Sequence, residues 1–158
     1  MNTNIGISDD HRKSVASLLN MLLADEFLLY VKTRNAHWNI TGPHFSELHR
    51  FFEEQYEALD EVIDEVAERV RMLGHFAAAT LSDYQGLTRL VEGKADFGKH
   101  DAIIRTLLDD HETIVRVLRA DITKTAEEYK DLGTSDFLTG LMERHEKMAW
   151  MLRSHLQG

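Results

Sequence analysis

Residues 35 to 74, NAHWNITGPHFSELHRFFEEQYEALDEVIDEVAERVRMLG, contain side chains that are well suited to bind a transition metal. They include two imidazoles followed by two carboxylates: His37, His49, Asp64 and Glu68. Imidazole and carboxylate together suit ferrous iron, although zinc and cobalt accept the same donors. On one continuous helix, His49 and Asp64 would lie roughly 22 Å apart. No single metal site spans that distance, so these residues are either unrelated or brought together by two chains.

An acidic stripe follows His49 along the predicted helix. A helical wheel places Glu53, Glu57, Asp60, Asp64 and Glu68 within about 100° of His49. An apolar arc beside the stripe predicts the bundle core; it comprises Phe45, Leu48, Phe52, Tyr56, Leu59, Ile63, Val66 and Val70. A solvated charged face is the common explanation of such a stripe. The alternative is a cation between Asp64 and Glu68, whose like charges one turn apart are otherwise mildly destabilising.

The spacing of Glu and His argues against a metal site contained in one chain. Ordinary di-iron four-helix proteins carry a Glu with a His three residues later on each of two helices. No Glu in this chain has a His at that spacing. Two chains packed with these helices antiparallel about a two-fold axis would instead bring the His end of one helix to the acidic end of the other. A two-fold interface repeats every contact, so such a dimer would contain two identical sites.

Long helices are expected to position these residues, because the chain has one Pro and few Gly. We predict helices over about 9–37, 44–73 and 99–129, and a last helix that follows the break DLGTSDF and ends near residue 155. The segment 82–91 is predicted to form a short helix. Ser8 or Asp9 is expected to cap the first helix and Thr41 the second, which ends at Gly74. Four long helices with one long crossover predict an all-α four-helix bundle, and no segment shows a strand pattern.

The first predicted helix is apolar on several sides, which indicates burial on several sides. The residues responsible are Leu18, Leu19, Met21, Leu22, Leu23, Phe27, Leu28, Leu29, Tyr30 and Val31. A subunit interface explains this pattern better than a locally wide core, although both remain open.

Composition bounds the class of protein. A chain of 158 residues predicts one domain over 1–158. The absence of Cys excludes disulfides, Cys-ligated zinc and iron–sulfur clusters. The first residues lack the apolar run of a signal peptide, and the apolar segment 18–31 contains Asp25 and Glu26 and is judged too short to span a bilayer. We therefore expect a soluble, cytoplasmic protein without a membrane partner, and its net charge of −9 attracts cations and repels nucleic acid.

Residues 35–74, together with the C-terminal segment HEKMAWMLRSHL, resemble the Dps proteins, or mini-ferritins. The resemblance covers nearly the whole chain, and its spacing of HW, HF, LH and DE..AER is specific. It implies a ferritin-like four-helix bundle with a short extra helix in the long crossover, assembled as a hollow homo-dodecamer. It also implies a ferroxidase that oxidises ferrous iron, usually with hydrogen peroxide, stores the ferric product and protects against oxidative stress.

The resemblance assigns roles to individual residues of the predicted metal site. It implies that His37 and His49 of one chain bind iron together with Asp64 and Glu68 of a partner chain. Glu53 matches a further acidic position one turn after the second His. In this family a Trp at the position of Trp38 lies near the iron and intercepts radicals, whereas the alternative role is simple aromatic packing at a helix end.

Iron entry and mineral nucleation are also implied by the resemblance. The family's acidic three-fold pore falls on Glu127, Asp131 and Asp136. Asp136 is equally well explained as a helix-start residue that the helix dipole favours. Glu54 and Glu57 either seed mineral on the inner wall or form part of a solvated face.

DNA binding is the point at which this sequence departs from the family pattern. Many Dps proteins bind DNA through a basic tail, but the eight residues before the first predicted helix contain no Lys or Arg, and the C-terminal RSHLQG contains one Arg. Twelve chains at −9 would carry a charge of −108, which disfavours contact with phosphates. A DNA-compacting protein is therefore the alternative function, and a helical scaffold without metal is a third.

Overall fold

The computed structural model describes residues 3–93 and 99–156, which form five α-helices and no strand. The helices are α1 (Asp9–Asn39), α2 (Phe45–Met72), α3 (Leu81–Leu87), α4 (His100–Glu127) and α5 (Leu132–Ser154). The predicted all-α bundle with a short helix in the crossover is confirmed.

Two long hairpins form the bundle. In the first, α1 and α2 run antiparallel, so that Tyr30 faces Tyr56 with 6.2 Å between ring centroids. In the second, α4 packs along α5, while α3 lies against α1. Large apolar side chains from all four long helices fill the interior, including Leu22, Phe52, Leu107 and Leu138. This core fixes the relative positions of α1 and α2, the helices that carry the predicted metal ligands.

The apolar character of α1 is explained largely by burial within the single chain. The helix has 31 residues, and more than half of its most apolar part is buried. By length and composition alone the whole helix could cross a membrane, although its apolar segment 18–31 was expected to be too short to do so. Its burial in a bundle is that of a core helix. Part of the apolar surface nevertheless stays open, because Phe27, Leu28 and Val31 line a groove of about 480 Å³ beside α3.

The helix ends differ from the predicted ones where local hydrogen bonds decide them. Ser8 caps α1 by accepting from the backbone N–H of His11, as predicted. Thr41 does not cap α2, because the chain turns through Gly42 at φ 109° and the helix begins only after His44. Gly74, at φ 89°, follows the end of α2 in the left-handed conformation expected of a helix stop.

The start of α5 corrects the predicted break. The Asp131 side chain accepts a hydrogen bond from the backbone N–H of Thr134, and the helix begins at Leu132. Most of the segment read as a break is therefore helical. In α3, a capping box between Thr80 and Asp83 places the helix at Leu81–Leu87, shorter than the predicted 82–91.

The buried face of α2 is rotated away from the acidic stripe. Phe51 and Val62 are buried although they lie outside the predicted arc, whereas Phe45 is 43% exposed and Tyr56 and Ile63 are half-buried. Phe45 is the first residue of α2 and lies beyond the end of the antiparallel α1, which explains its exposure. The apolar residues nearest the acidic stripe are thus incompletely covered within one chain.

Candidate metal centre

His37 of α1 and His49 of α2 form a stacked pair at one end of the first hairpin. Their ring centroids are 3.7 Å apart and the rings are inclined by 22°. Nδ1 of His37 lies 2.7 Å from the carbonyl oxygen of His49, and Nδ1 of His49 lies 2.9 Å from the carbonyl oxygen of His37. Each imidazole is therefore held by the backbone of the other helix.

These reciprocal bonds fix the tautomer of both rings. A carbonyl oxygen only accepts, so Nδ1 of His37 and of His49 must carry the proton and donate. A neutral imidazole with this tautomer presents Nε2 with a free lone pair, which is the arrangement that binds a metal. A hydrogen bond from the second ring nitrogen to a carbonyl is also the usual way in which proteins orient a metal-binding His.

Tyr56 packs against this pair and is itself contacted by Glu53 and Arg34. The sequence did not single out Tyr56 or Arg34 as functional. The Tyr56 ring meets His37 edge-on with 5.2 Å between centroids, and its hydroxyl donates to Oε1 of Glu53 at 3.2 Å. Partial burial and the nearby Glu53 carboxylate raise the pKa of Tyr56. The Arg34 guanidinium lies 4.3 Å from the centre of the Tyr56 ring. The i, i+3 spacing of Glu53 and Tyr56 was the available signal.

Asp64 and Glu68 lie far from the imidazoles, at the other end of α2. Both are exposed, and in residues 3–93 and 99–156 neither forms a hydrogen bond or an ion pair. The neighbouring Glu65, in contrast, is bound by Arg144 at 2.9 Å. Within the part of the chain that the structure describes, no three His, Asp or Glu side chains lie close enough to hold a metal ion. One chain therefore does not bring the two imidazoles and these two carboxylates together.

Trp38 follows His37 but points away from the packed interior. It is 64% exposed, and the Arg34 guanidinium lies 5.1 Å from its ring centre. Packing within one chain therefore does not account for this aromatic residue.

Comparison with known proteins identifies the family. The model of the ferritin-like domain matches residues 16–158. A DNA protection during starvation protein of Helicobacter pylori is 34% identical, covering 88% of this chain and 96% of its own. A low temperature-induced protein of Nostoc is 46% identical, covering 98% of this chain and 87% of its own. The chain belongs to the Dps family of ferritin-like proteins.

Solved Dps structures share the whole fold of this chain. Dps from Vibrio cholerae, described as a ferritin-like diiron-carboxylate protein, superposes with a TM-score of 0.91 at 33% identity, covering 99% of this chain and 98% of its own. DpsC from Streptomyces coelicolor gives a TM-score of 0.95 at 28% identity, with 100% and 92% covered. The resemblance seen in the sequence is therefore confirmed at the level of family and fold.

The candidate pore residues of this Dps chain differ in their surroundings. Glu127 and Asp136 are exposed, and Asp136 is the fifth residue of α5, beyond the first turn where the helix dipole acts most strongly. Asp131 is 2% exposed, and its carboxylate binds Thr134 and, at 3.4 Å, Arg69. Asp131 therefore has a structural role at the start of α5, which leaves Glu127 and Asp136 as the accessible candidates.

Proposed function

We propose that this Dps chain is a ferroxidase and iron-storage protein. It oxidises ferrous iron with hydrogen peroxide and retains the ferric product in a hollow cytoplasmic dodecamer. The single observation that carries the proposal is the reciprocal bonding of His37 and His49, which leaves both Nε2 atoms ready to bind iron. Membership in a ferritin-like family supports the same chemistry.

The complete site requires a second chain. His37 and His49 come from one chain, and Asp64 and Glu68 come from its partner, with Glu53 as an additional carboxylate beside the imidazoles. The half-buried Tyr56 and Ile63 supply apolar surface beside the stripe for such a contact. The two unpaired carboxylates of α2 gain a cation in the assembled site, which relieves their mutual repulsion.

The number of electrons explains why a site with two irons suits hydrogen peroxide as the oxidant. One ferrous ion gives peroxide one electron and releases a hydroxyl radical. Two ferrous ions bound together give two electrons, so that peroxide and two protons become two molecules of water and both irons become ferric. Radicals that escape this pairing are intercepted by Trp38, which follows His37 in the chain, and by Tyr56, whose ring meets His37. Zinc suits the same donors and would compete with iron.

Replacing His37 by alanine is expected to slow peroxide-driven iron oxidation by at least about tenfold, because loss of a metal-orienting group typically costs this much. The measurement is stopped-flow oxidation at two ferrous ions per site, so that growth on existing mineral does not contribute. The matched control is His44→Ala, an exposed imidazole seven residues away whose side chain makes no cap hydrogen bond. Oxidation by His37→Ala at the wild-type rate would contradict the proposal.

DNA binding is the second candidate function, since relatives bear the name DNA protection during starvation protein. The net charge of −9 per chain opposes it, because nonspecific affinity depends mainly on neutralising phosphates with Lys and Arg.

The protein is expected not to retard duplex DNA at pH 7–8 and about 0.15 M salt, where the Debye length is about 8 Å. An electrophoretic mobility assay without divalent metal checks this expectation. A clear shift under those conditions would favour the DNA-compacting function; binding seen only after adding metal, or only at low pH, would point to bridging or to altered charge.

A further inference from the structure

A second pair of imidazoles lies in the middle of the bundle, on helices other than those of the candidate metal centre. His111 of α4 and His145 of α5 are both 0% exposed, and their Nδ1 atoms are 2.9 Å apart. Nε2 of His145 lies 2.9 Å from Oε1 of Glu26 on α1, which is also 0% exposed. We call His111 and His145 the buried imidazole pair; with Glu26 it links α4, α5 and α1.

The contact between the two Nδ1 atoms limits the number of protons that the pair can hold. One nitrogen must donate and the other accept, so a single proton lies between them. If both imidazoles were protonated, two N–H groups would point at each other across 2.9 Å. Two positive rings would also repel each other in a site without solvent. The packed bundle therefore holds at most one of the two rings as a cation.

Few other charged groups near the buried imidazole pair could compensate a second proton on it. Asp25, next to Glu26, is bound by Arg89, and Asp110, next to His111, is bound by Lys32. The described residues of α2 and α3 bury no titratable side chain. Glu26 contacts His145 rather than His111, and Nε2 of His111 has no hydrogen-bond partner among the residues that the structure describes. A proton added to His111 would thus have no acceptor within the closed bundle.

Burial, together with the neighbouring His145, lowers the pKa of His111 well below its ordinary value. In the closed state α4 and α5 are packed together, and in the open state they are separated. When a His has a lower pKa in the closed state than in the open state, it stabilises the closed state at pH values above its ordinary pKa of about 6.5. That stabilisation is lost as the pH falls below about 6.5, because the open state takes up the proton that the closed state refuses.

We propose that the buried imidazole pair is an acid-sensitive latch that holds α4 against α5 near neutral pH and releases them in acid. The latch operates in the interior of each chain and uses none of the residues assigned to the metal centre. Its release exposes the inner surfaces of α4 and α5, and so loosens the wall of the assembled particle independently of iron oxidation.

Hydrogen exchange of the intact protein, read by mass spectrometry on peptides from α4 and α5, tests the latch. After correction for the pH dependence of chemical exchange, protection around His111 and His145 is expected to fall at least about tenfold per pH unit below pH 6.5, because opening takes up at least one proton. In His111→Gln, the loss of protection per pH unit is expected to be about tenfold smaller than in the wild type, because one titrating ring is gone. The amide of the new side chain can still bond to His145.

His155→Gln is the matched control, because His155 is an exposed imidazole just after α5. It is expected to retain the wild-type pH dependence. If wild-type protection in α4 and α5 does not change between pH 7.5 and 5, the latch does not exist, and this result stands even if His111→Gln fails to fold. Equal pH dependence in the wild type and in His111→Gln would likewise overturn the proposal.

Discussion

An assembly that mixes His49→Ala chains with Glu68→Ala chains is expected to recover about a quarter of the wild-type ferroxidase sites. Each variant alone has every site damaged, because every proposed site uses both residues. In a mixed dimer, one site lacks both side chains and the other is complete, since a two-fold contact pairs each chain with the other. Random pairing makes half of the dimers mixed, and half of their sites are then intact.

The measurement is peroxide-driven iron oxidation after the two variants are unfolded together in equal amounts and reassembled. The control is the same mixture combined without unfolding, in which chains do not exchange and no recovery is expected. A site contained within one chain gives no recovery in either mixture. Rates no higher than the average of the separate variants would therefore rule out the shared site.

Replacement of Asp25 by alanine is expected to lower the free energy of unfolding by about 3 kcal/mol, because it removes the buried carboxylate that pairs with Arg89. The Arg89 guanidinium then keeps only the longer contact of 3.5 Å with Asp121. The carboxylate of Asp25 is 1% exposed. It accepts from the hydroxyl of Thr88 at 3.0 Å, and from the backbone N–H and Nε of Arg89 at 2.6 and 2.7 Å. These contacts attach the crossover after α3 to α1.

Urea-induced unfolding at pH 7 measures the effect. The matched control is Glu65→Ala, which removes the partner of Arg144 in an ion pair whose side chains are both more than one-third exposed. Exposed pairs contribute about 0–1 kcal/mol, so the control should unfold close to the wild type. A loss at Asp25 no larger than at Glu65 would show that this carboxylate does not hold the crossover.

The sequence predicted the number of long helices and their order, because apolar periodicity and the scarcity of Pro and Gly are global signals. The exact ends of the helices, in contrast, depend on single local hydrogen bonds that compete closely with one another. Thr41 has the right side chain for a cap, but the turn through Gly42 moved the start of α2 beyond it. Asp131 lies in the predicted break, and the resemblance makes it a pore candidate. In the structure its carboxylate caps the start of α5 and contacts Arg69.

The candidate metal centre could be predicted only in part. The types and spacing of His37 and His49 were visible in the sequence, but their stacking depends on the register between α1 and α2, which only the fold supplies. The position of the Arg34 guanidinium over the Tyr56 ring depends on the same register between α1 and α2. Glu26, His111 and His145 are far apart in the sequence and carry no motif, so their meeting in the core could not be foreseen.

The central claim is that one iron site takes its imidazoles from one chain and its carboxylates from another. Anomalous X-ray scattering at the iron edge tests it most directly, on crystals of the protein loaded anaerobically with ferrous iron. We expect iron bound to Nε2 of His37 or His49, with the carboxylates of Asp64 and Glu68 contributed by a second chain across a two-fold axis. Iron held by ligands of a single chain, or located away from these four residues, would contradict it.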